Sequence, residues 1–259
     1  MSSTFTVTRD QIIQTALRRL GVLEIGDIPD PATLVSMALE LNLLIKQMST
    51  EGLKLWKIQE LVIPLTAATT TYTLGGTSSS LMYDSFDTSF TTPLTDKPLK
   101  VIQAWYRNNQ VPGSPIDTIL QLFSKQEYNL LASKSDLGVS NSVFYDLKAL
   151  YGTLYVYLTP DTYTATNLNV HLVVQMPIQD LNAAADIPDF PNEWMNTLVW
   201  GLADQVALNF DVPPNHRQEV MLKAQAYKEQ LTSWDVESYS SFFIPDERML
   251  AGRSKIGIV

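Results

Sequence analysis

Hydrophobic spacing divides the chain into helical ends and a strand-rich middle. In "TRDQIIQTALRRLG", Ile12, Ile13, Ala16, Leu17 and Leu20 recur at helical spacing. Thr8 can cap this helix while Gln11 reaches back, a capping box, and Gly21 supplies the stop. A second helix opens at "DPATL", with Asp30 as cap and Pro31 at the first helical position. Leu34, Ala38, Leu41, Ile45 and Met48 form its apolar stripe. Gly52 ends it, and Trp56 pins the exit from the helix pair.

The period then shortens. "KIQELVIPL", "TTTYTL", "KVIQAWYRNN", "DTILQLF", "SVFYDL", "TLYVYLTP" and "NLNVHLVVQM" are short, β-branched or aromatic, and bounded by Gly, Pro, Asn or Asp. In the last of them Leu168, Val170, Leu172 and Val174 face one way, and Asn169, His171 and Gln175 the other. One short helix interrupts the strands at "SKQEYNLLAS", with Ser124 and Glu127 as a capping box. "GGTSSSLMYDSFDTSFTTPLTDKP" reads as a long surface excursion rich in Gly, Ser and Thr.

Helical spacing returns in "PNEWMNTLVWGLADQVALNF". Trp194, Leu198, Leu202 and Val206 mark a broad apolar face, flanked by Met195, Val199 and Ala203. This helix stops before "VPP", because the residue ahead of a proline is pushed out of the helical region. Asn215 and Gln218 are the expected cap of the next helix, whose stripe is Val220, Ala224, Tyr227, Leu231 and Trp234. Glu219 and Lys223 make a favourable exposed pair. The chain then ends on "WDVESYSSFFIPDERMLAGRSKIGIV", too apolar for solvent and too broken by Pro245, Gly252 and Gly257 for one regular element.

The fold class expected is α+β: N- and C-terminal helices forming one helical body, an inserted β-rich module, and an extended C-terminal tail. The divisions are 1–57 with 188–234 for the body, 58–187 for the module and 235–259 for the tail.

Composition narrows the function. The 259 residues are 45% hydrophobic and 17% charged, enough for a sizeable core. No cysteine is present, which removes disulfides, thiolate metal sites and a cysteine nucleophile, and fits a reducing interior. "MSSTFTVTRDQ" lacks the basic start and apolar block of a secretory signal. No apolar run approaches the roughly 20 residues of a membrane span. Formal net charge is −9. Residues 1–57 hold six basic and six acidic side chains, 58–190 six against twelve, and 191–259 six against nine, so the sums are 0, −6 and −3. Such a chain has few cations to exchange for the counterions of nucleic-acid phosphates.

Candidate chemistry is sparse. Of two histidines, His171 lies on a strand and His216 at a helix start, with structural or surface roles favoured over catalysis. No HExxH spacing, P-loop or GxGxxG occurs, and "GVLEIGDIPDP" lacks the spacing of a calcium loop. Glu193 and Asp204 are nameable as a glycosidase pair only if folding sets their separation. Trp105, Tyr106, Tyr155 and Tyr157 can line a sugar or single-strand groove, although period-two aromatics are usually half-buried core. Arg18 and Arg19 complement a helix dipole. Hence no catalytic residue, metal or cofactor is assigned.

"ALRRLGVLEIGDIP" followed by "LELNLLIKQMSTEGLKLW" resembles the opening of head-to-tail adaptor proteins of short-tailed phages, the packaged-DNA stabilisation proteins. The shared positions are Leu20, Gly21, Pro29, Leu41, Asn42, Leu44, Gly52, Leu55 and Trp56. "PNEWMNTLVWGLADQVA" is similar to the family's P-x-x-W/Y helix, and "DVESYSSFFIPDERM" to its acidic-Ser-aromatic-Pro tail. The likeness spans about the first 60 and last 70 residues, and the middle matches only in layout.

The resemblance implies a non-enzymatic virion protein at the head–tail junction, assembled in the host cytoplasm. It implies a ring of this chain, typically twelve copies, that docks under the portal protein, closes the DNA-filled head, extends the DNA channel and seats tail nozzle or tail-fibre proteins. DNA then passes without specific binding, and no membrane anchor is expected. Tyr239, Phe242, Phe243, Ile244, Pro245, Arg248, Met249, Leu250, Arg253 and Ile256 become the portal-docking set. Leu17, Leu20, Leu41, Trp56, Trp194, Leu198, Leu202, Tyr227, Leu231 and Trp234 become the core of the body. The competing readings are a cell-wall glycan hydrolase and a carbohydrate-binding virion module.

Overall fold

The computed structural model describes residues 5–50, 57–76, 81–84, 92–93, 96–108 and 116–234. Helix α1 (Arg9–Arg19) begins with the expected capping box: Thr8 accepts from the Gln11 amide while the Gln11 side chain accepts from Thr8. Gly21, at φ +74°, ends it in the left-handed region that favours glycine. In α2 (Pro31–Thr50), Asp30 Oδ2 accepts from the amides of Ala32 and Thr33. Gly52 and Trp56 lie outside the described residues.

Among the described residues the strands form three sheets. The largest is built from β1 (Ile58–Pro64), β3 (Leu81–Asp84), β4 (Thr92–Pro93), β5 (Lys100–Asn108), β6 (Ile116–Ile119) and β12 (Leu168–Gln175), in the order β4-β3-β1-β12-β5-β6. The second contains β2 (Thr71–Leu74), β7 (Gln121–Leu122), β9 (Ser142–Leu147) and β10 (Gly152–Tyr157), ordered β2-β10-β9-β7. Short strands β8 (Leu137–Gly138) and β11 (Thr159–Pro160) pair in parallel. Two short helices, α3 (Lys125–Leu130) and α4 (Thr162–Asn167), connect them.

One face of the large sheet shares a core with the second sheet. Leu61, Ile63, Ala104, Val170 and Leu172 meet Tyr72, Leu74, Val143, Leu154 and Val156 there. The excursion at 75–97 departs from a plain loop, because it contains β3 and β4. Its strand β3 pairs with β1 through Leu61–Asp84 and Val62–Tyr83. An otherwise unpaired edge of β1 supplies backbone partners that outweigh the weak strand propensity of the stretch.

A separate apolar cluster joins the chain ends. It holds α1, α2, α5 (Met195–Val206) and α6 (Pro214–Trp234) together with the 3₁₀ turn Asn192–Trp194. The chain passes from one cluster to the other between Met176 and Ile178. At the start of α6 the cap expectation is corrected. Pro214 is the first helical residue and Asn215 already lies inside the helix. Proline's fixed φ suits that first position, and the Arg217 amide donates to the Pro213 carbonyl to close the first turn.

Tyr145 ties the sheets together. Its hydroxyl donates to the Pro98 carbonyl at 2.7 Å, and burial pushes its pKa up. The ring passes over Gly152, where a Cβ would overlap the hydroxyl. Gly152→Ala is therefore expected to cost about 1–3 kcal/mol through overpacking. A lower urea midpoint at unchanged slope is the expected result, and an unchanged midpoint would contradict the packing described.

Candidate interaction surface

The residues that resemble family motifs share a structural purpose. Leu20 is buried against the helical cluster, and Pro29 is buried at the approach to α2. Leu41 is fully buried, and Leu44 packs at the cluster's edge. Asn42 between them binds a distant backbone. Its Nδ2 donates to the Leu181 carbonyl at 3.1 Å, and its Oδ1 accepts from the Leu181 amide at 2.9 Å.

That clamp belongs to a wider lacing of segment 178–190 onto the helices. Arg9 donates from Nη1 to the Asn182 carbonyl at 2.7 Å and from its amide to the Asp186 carbonyl at 2.8 Å. Lys46 pairs with Asp180 at 2.5 Å, and buried Lys57 pairs with Asp189. No periodic signal marks these contacts, since each joins residues more than a hundred positions apart.

Residues expected in the helical core fall as follows. Leu17, Leu20, Leu41, Trp194, Leu198, Leu202 and Leu231 are buried in the helical cluster, and half-buried Tyr227 packs against it. Trp56 and the side chain of Trp234 lie outside the described residues. So does the whole docking set from Tyr239 to Ile256.

The residues weighed for chemistry are dispersed. His171 is buried with Nδ1 2.7 Å from Glu60 Oε1, and its ring stacks on Trp105 at 5.5 Å. His216 Nε2 lies 2.9 Å from the Arg19 carbonyl, tying α6 to the end of α1. Glu193 and Asp204 line different hollows. Eleven residues of nearly continuous helix separate them by about 16 Å at 1.5 Å each, well beyond the separation a glycosidase uses. Trp105 and Tyr106 point to opposite faces of β5: Trp105 meets His171, while Tyr106 packs on the sheet core. They cannot line one groove. Tyr155 sits in an aromatic cluster with Tyr128 and Phe144 at 5.0 and 5.6 Å. Among the described residues, no cluster of three or more His, Asp or Glu could hold a metal ion, and no helix is long and apolar enough to cross a membrane.

What remains is an apolar surface. Met37, Leu41, Ile45 and Met48 turn one face of α2 into the core. On the opposite side Val35, Leu39 and Leu43 are 73%, 61% and 51% exposed. Ile25 and Ile28, in the loop ahead of α2, are 96% and 80% exposed. Spacing of four residues puts the three α2 side chains on one stripe. A helix apolar on both faces is one that ordinarily lies between two packed surfaces. The stripe is visible in the sequence as a second period-four series, offset from the buried one, and the single-stripe reading of α2 missed it.

Asn42→Ala removes both bonds to Leu181. The expected loss is about 1–3 kcal/mol, with faster hydrogen exchange at the Leu181 amide. Asn42→Asp keeps the acceptor and should fall between the two. Unchanged exchange at Leu181 would contradict the clamp.

No curated protein matches the chain. The family model described as SU10 adaptor protein matches residues 7–241 and stops just short of Phe242. With a match over nearly the whole length, the chain belongs to the SU10 adaptor protein family, a phage head–tail adaptor family.

Proposed function

We propose that this chain is a structural, non-enzymatic adaptor that forms a ring, of twelve copies, beneath the portal protein. The ring closes the DNA-filled head, continues the DNA channel, and offers a platform to tail nozzle or tail-fibre proteins. Residues 1–57 and 188–234 serve as the ring-forming body, 58–187 as the inserted β-rich module, and 235–259 as the portal-docking tail.

The outer face of α2 carries this reading. A contiguous exposed apolar stripe marks a protein contact. In a closed ring each copy presents two different faces to its neighbours, and the α2 face is an apolar one that the described residues of the body offer. Family membership supplies the setting. The acidic balance suits a conduit in which like charge keeps DNA from lingering on the wall.

The tail sets the order of events. Fully extended, its 25 residues (259 − 234) reach about 80 Å at roughly 3.3 Å each. One tail engages weakly, because ordering a long segment offsets most of what its apolar side chains contribute. Many tails on one ring hold firmly, because each later engagement is intramolecular. The chain is therefore a monomer or loose oligomer alone and closes into a ring on the portal.

The test mixes purified portal rings with three forms and reads bound copies by native mass spectrometry. The wild-type chain should load to a full ring. Val35→Lys/Leu39→Lys should keep its stability within about 0.5 kcal/mol, as exposed substitutions do, yet load far fewer copies. A chain ending at Trp234 should not load. A stable ring without portal, or full loading by the lysine variant, would overturn the proposal.

A further inference from the structure

The described residues bury two apolar interiors that share no residue. One joins α1, α2, α5 and α6, and the other fills the space between the two larger sheets. Each is a contiguous core in its own right. The chain enters the sheets at Lys57, directly ahead of β1. It leaves them at Pro177, between Met176 of the strand cluster and Ile178 of the helical one.

These two crossings lie side by side. β1 and β12 pair from Pro64–Asn169 to Ile58–Gln175. One further bond follows, from the Met176 amide to the Lys57 carbonyl at 2.8 Å. Pro177 has no amide and adds no bond. At its last rung the neck is therefore two strands wide. A few residues at the ends of elements, such as these, are where a chain can absorb a change of direction between packed units.

One ion pair spans the neck. Lys57 Nζ donates to Asp189 Oδ2. Through its bond to Met176 the Lys57 backbone belongs with the strands. Asp189 belongs with the helices: Phe190 beside it is buried in their cluster. The stretch before it is held by Asn42 at Leu181 and by Arg9 at Asn182 and Asp186. The Lys57 side chain is 10% exposed and that of Asp189 46%. A buried ammonium stripped of its carboxylate is strongly disfavoured, so Lys57 in this position holds Asp189 to it. The neighbouring pair Lys46–Asp180 differs, because it joins α2 to a residue beyond Ile178 and lies wholly on the helical side.

We propose that the β-rich module is a rigid unit that turns on the neck at Lys57 and Met176–Ile178, and that the Lys57–Asp189 pair is the latch fixing its angle to the helical body. Since no buried residue is shared, turning leaves both interiors packed. On the adaptor reading, one subunit can then meet partners through body and module without either contact straining a core. The device itself does not depend on that reading.

The chain has no cysteine, so introduced cysteines carry spin labels at chosen sites only. Thr118→Cys on β6 and Ala226→Cys on α6 are exposed positions, one on each unit. Double electron–electron resonance on the full chain, diluted with unlabelled chain, reads the distance between them. The parent pair should give one narrow distribution. Adding Lys57→Met, or separately Asp189→Asn, should widen it at least twofold. Adding Lys46→Met should leave it unchanged. Hydrogen exchange should remain slow at Val170 and Leu172 in the module and at Leu198 and Leu202 in the body of the widened variants. An unchanged width in both latch variants would overturn the proposal, as would a parent distribution already as broad as theirs. Fast exchange through either cluster in both variants would overturn it too, by making the pair a support of folding. No portal or ring enters the experiment, so failure leaves the adaptor reading standing.

Discussion

Burial of α5 is the constraint on which the helical body depends. Met195, Thr197, Leu198, Val199, Trp200, Leu202, Ala203 and Val206 are buried, which leaves this helix little solvent-facing surface. A helix apolar nearly all round must be wrapped. Helices α1, α2 and α6 do the wrapping. Trp200 shows how closely they converge: the Arg19 guanidinium from α1 lies 5.3 Å from its ring, and the Lys223 ammonium from α6 lies 5.0 Å from it. Since α1 and α2 precede the strands and α5 follows them, packing these helices together closes one apolar cluster across the strands that lie between.

That constraint was legible wherever the signal was local and periodic. The capping box at Thr8, the Pro31 start of α2, the Ser124–Glu127 box and the alternation of β12 all follow from neighbours within four residues. The misses share a different cause. Strand β3 forms because β1 offers its edge, which composition of the Ser/Thr-rich stretch does not reveal. Asn42 reads as an ordinary polar residue on a helix until Leu181 arrives from the far end of the module. The N-terminus of α6 shifted because proline occupies a first helical turn more readily than a cap inference from Asn215 allows.

The candidate surface was half legible. Its residues were all in view, but Val35, Leu39 and Leu43 lay hidden beside a buried stripe on the same helix. Their meaning depends on which face the core takes. Conversely, the residues that invited a catalytic reading are dispersed by the fold. His171 is held by Glu60 and Trp105, His216 caps the end of α1, and Glu193 and Asp204 stand in separate hollows. What the described residues of the body do present is an exposed apolar stripe on α2.

The most direct measurement is photocrosslinking from α2 during assembly. A photoreactive phenylalanine at Leu39, in the full chain bound to portal rings, should crosslink to a second copy of the same chain, with mass spectrometry locating the partner residues on its helical body. Crosslinks confined to the portal, or none between copies, would contradict the claim that the outer face of α2 joins neighbouring subunits.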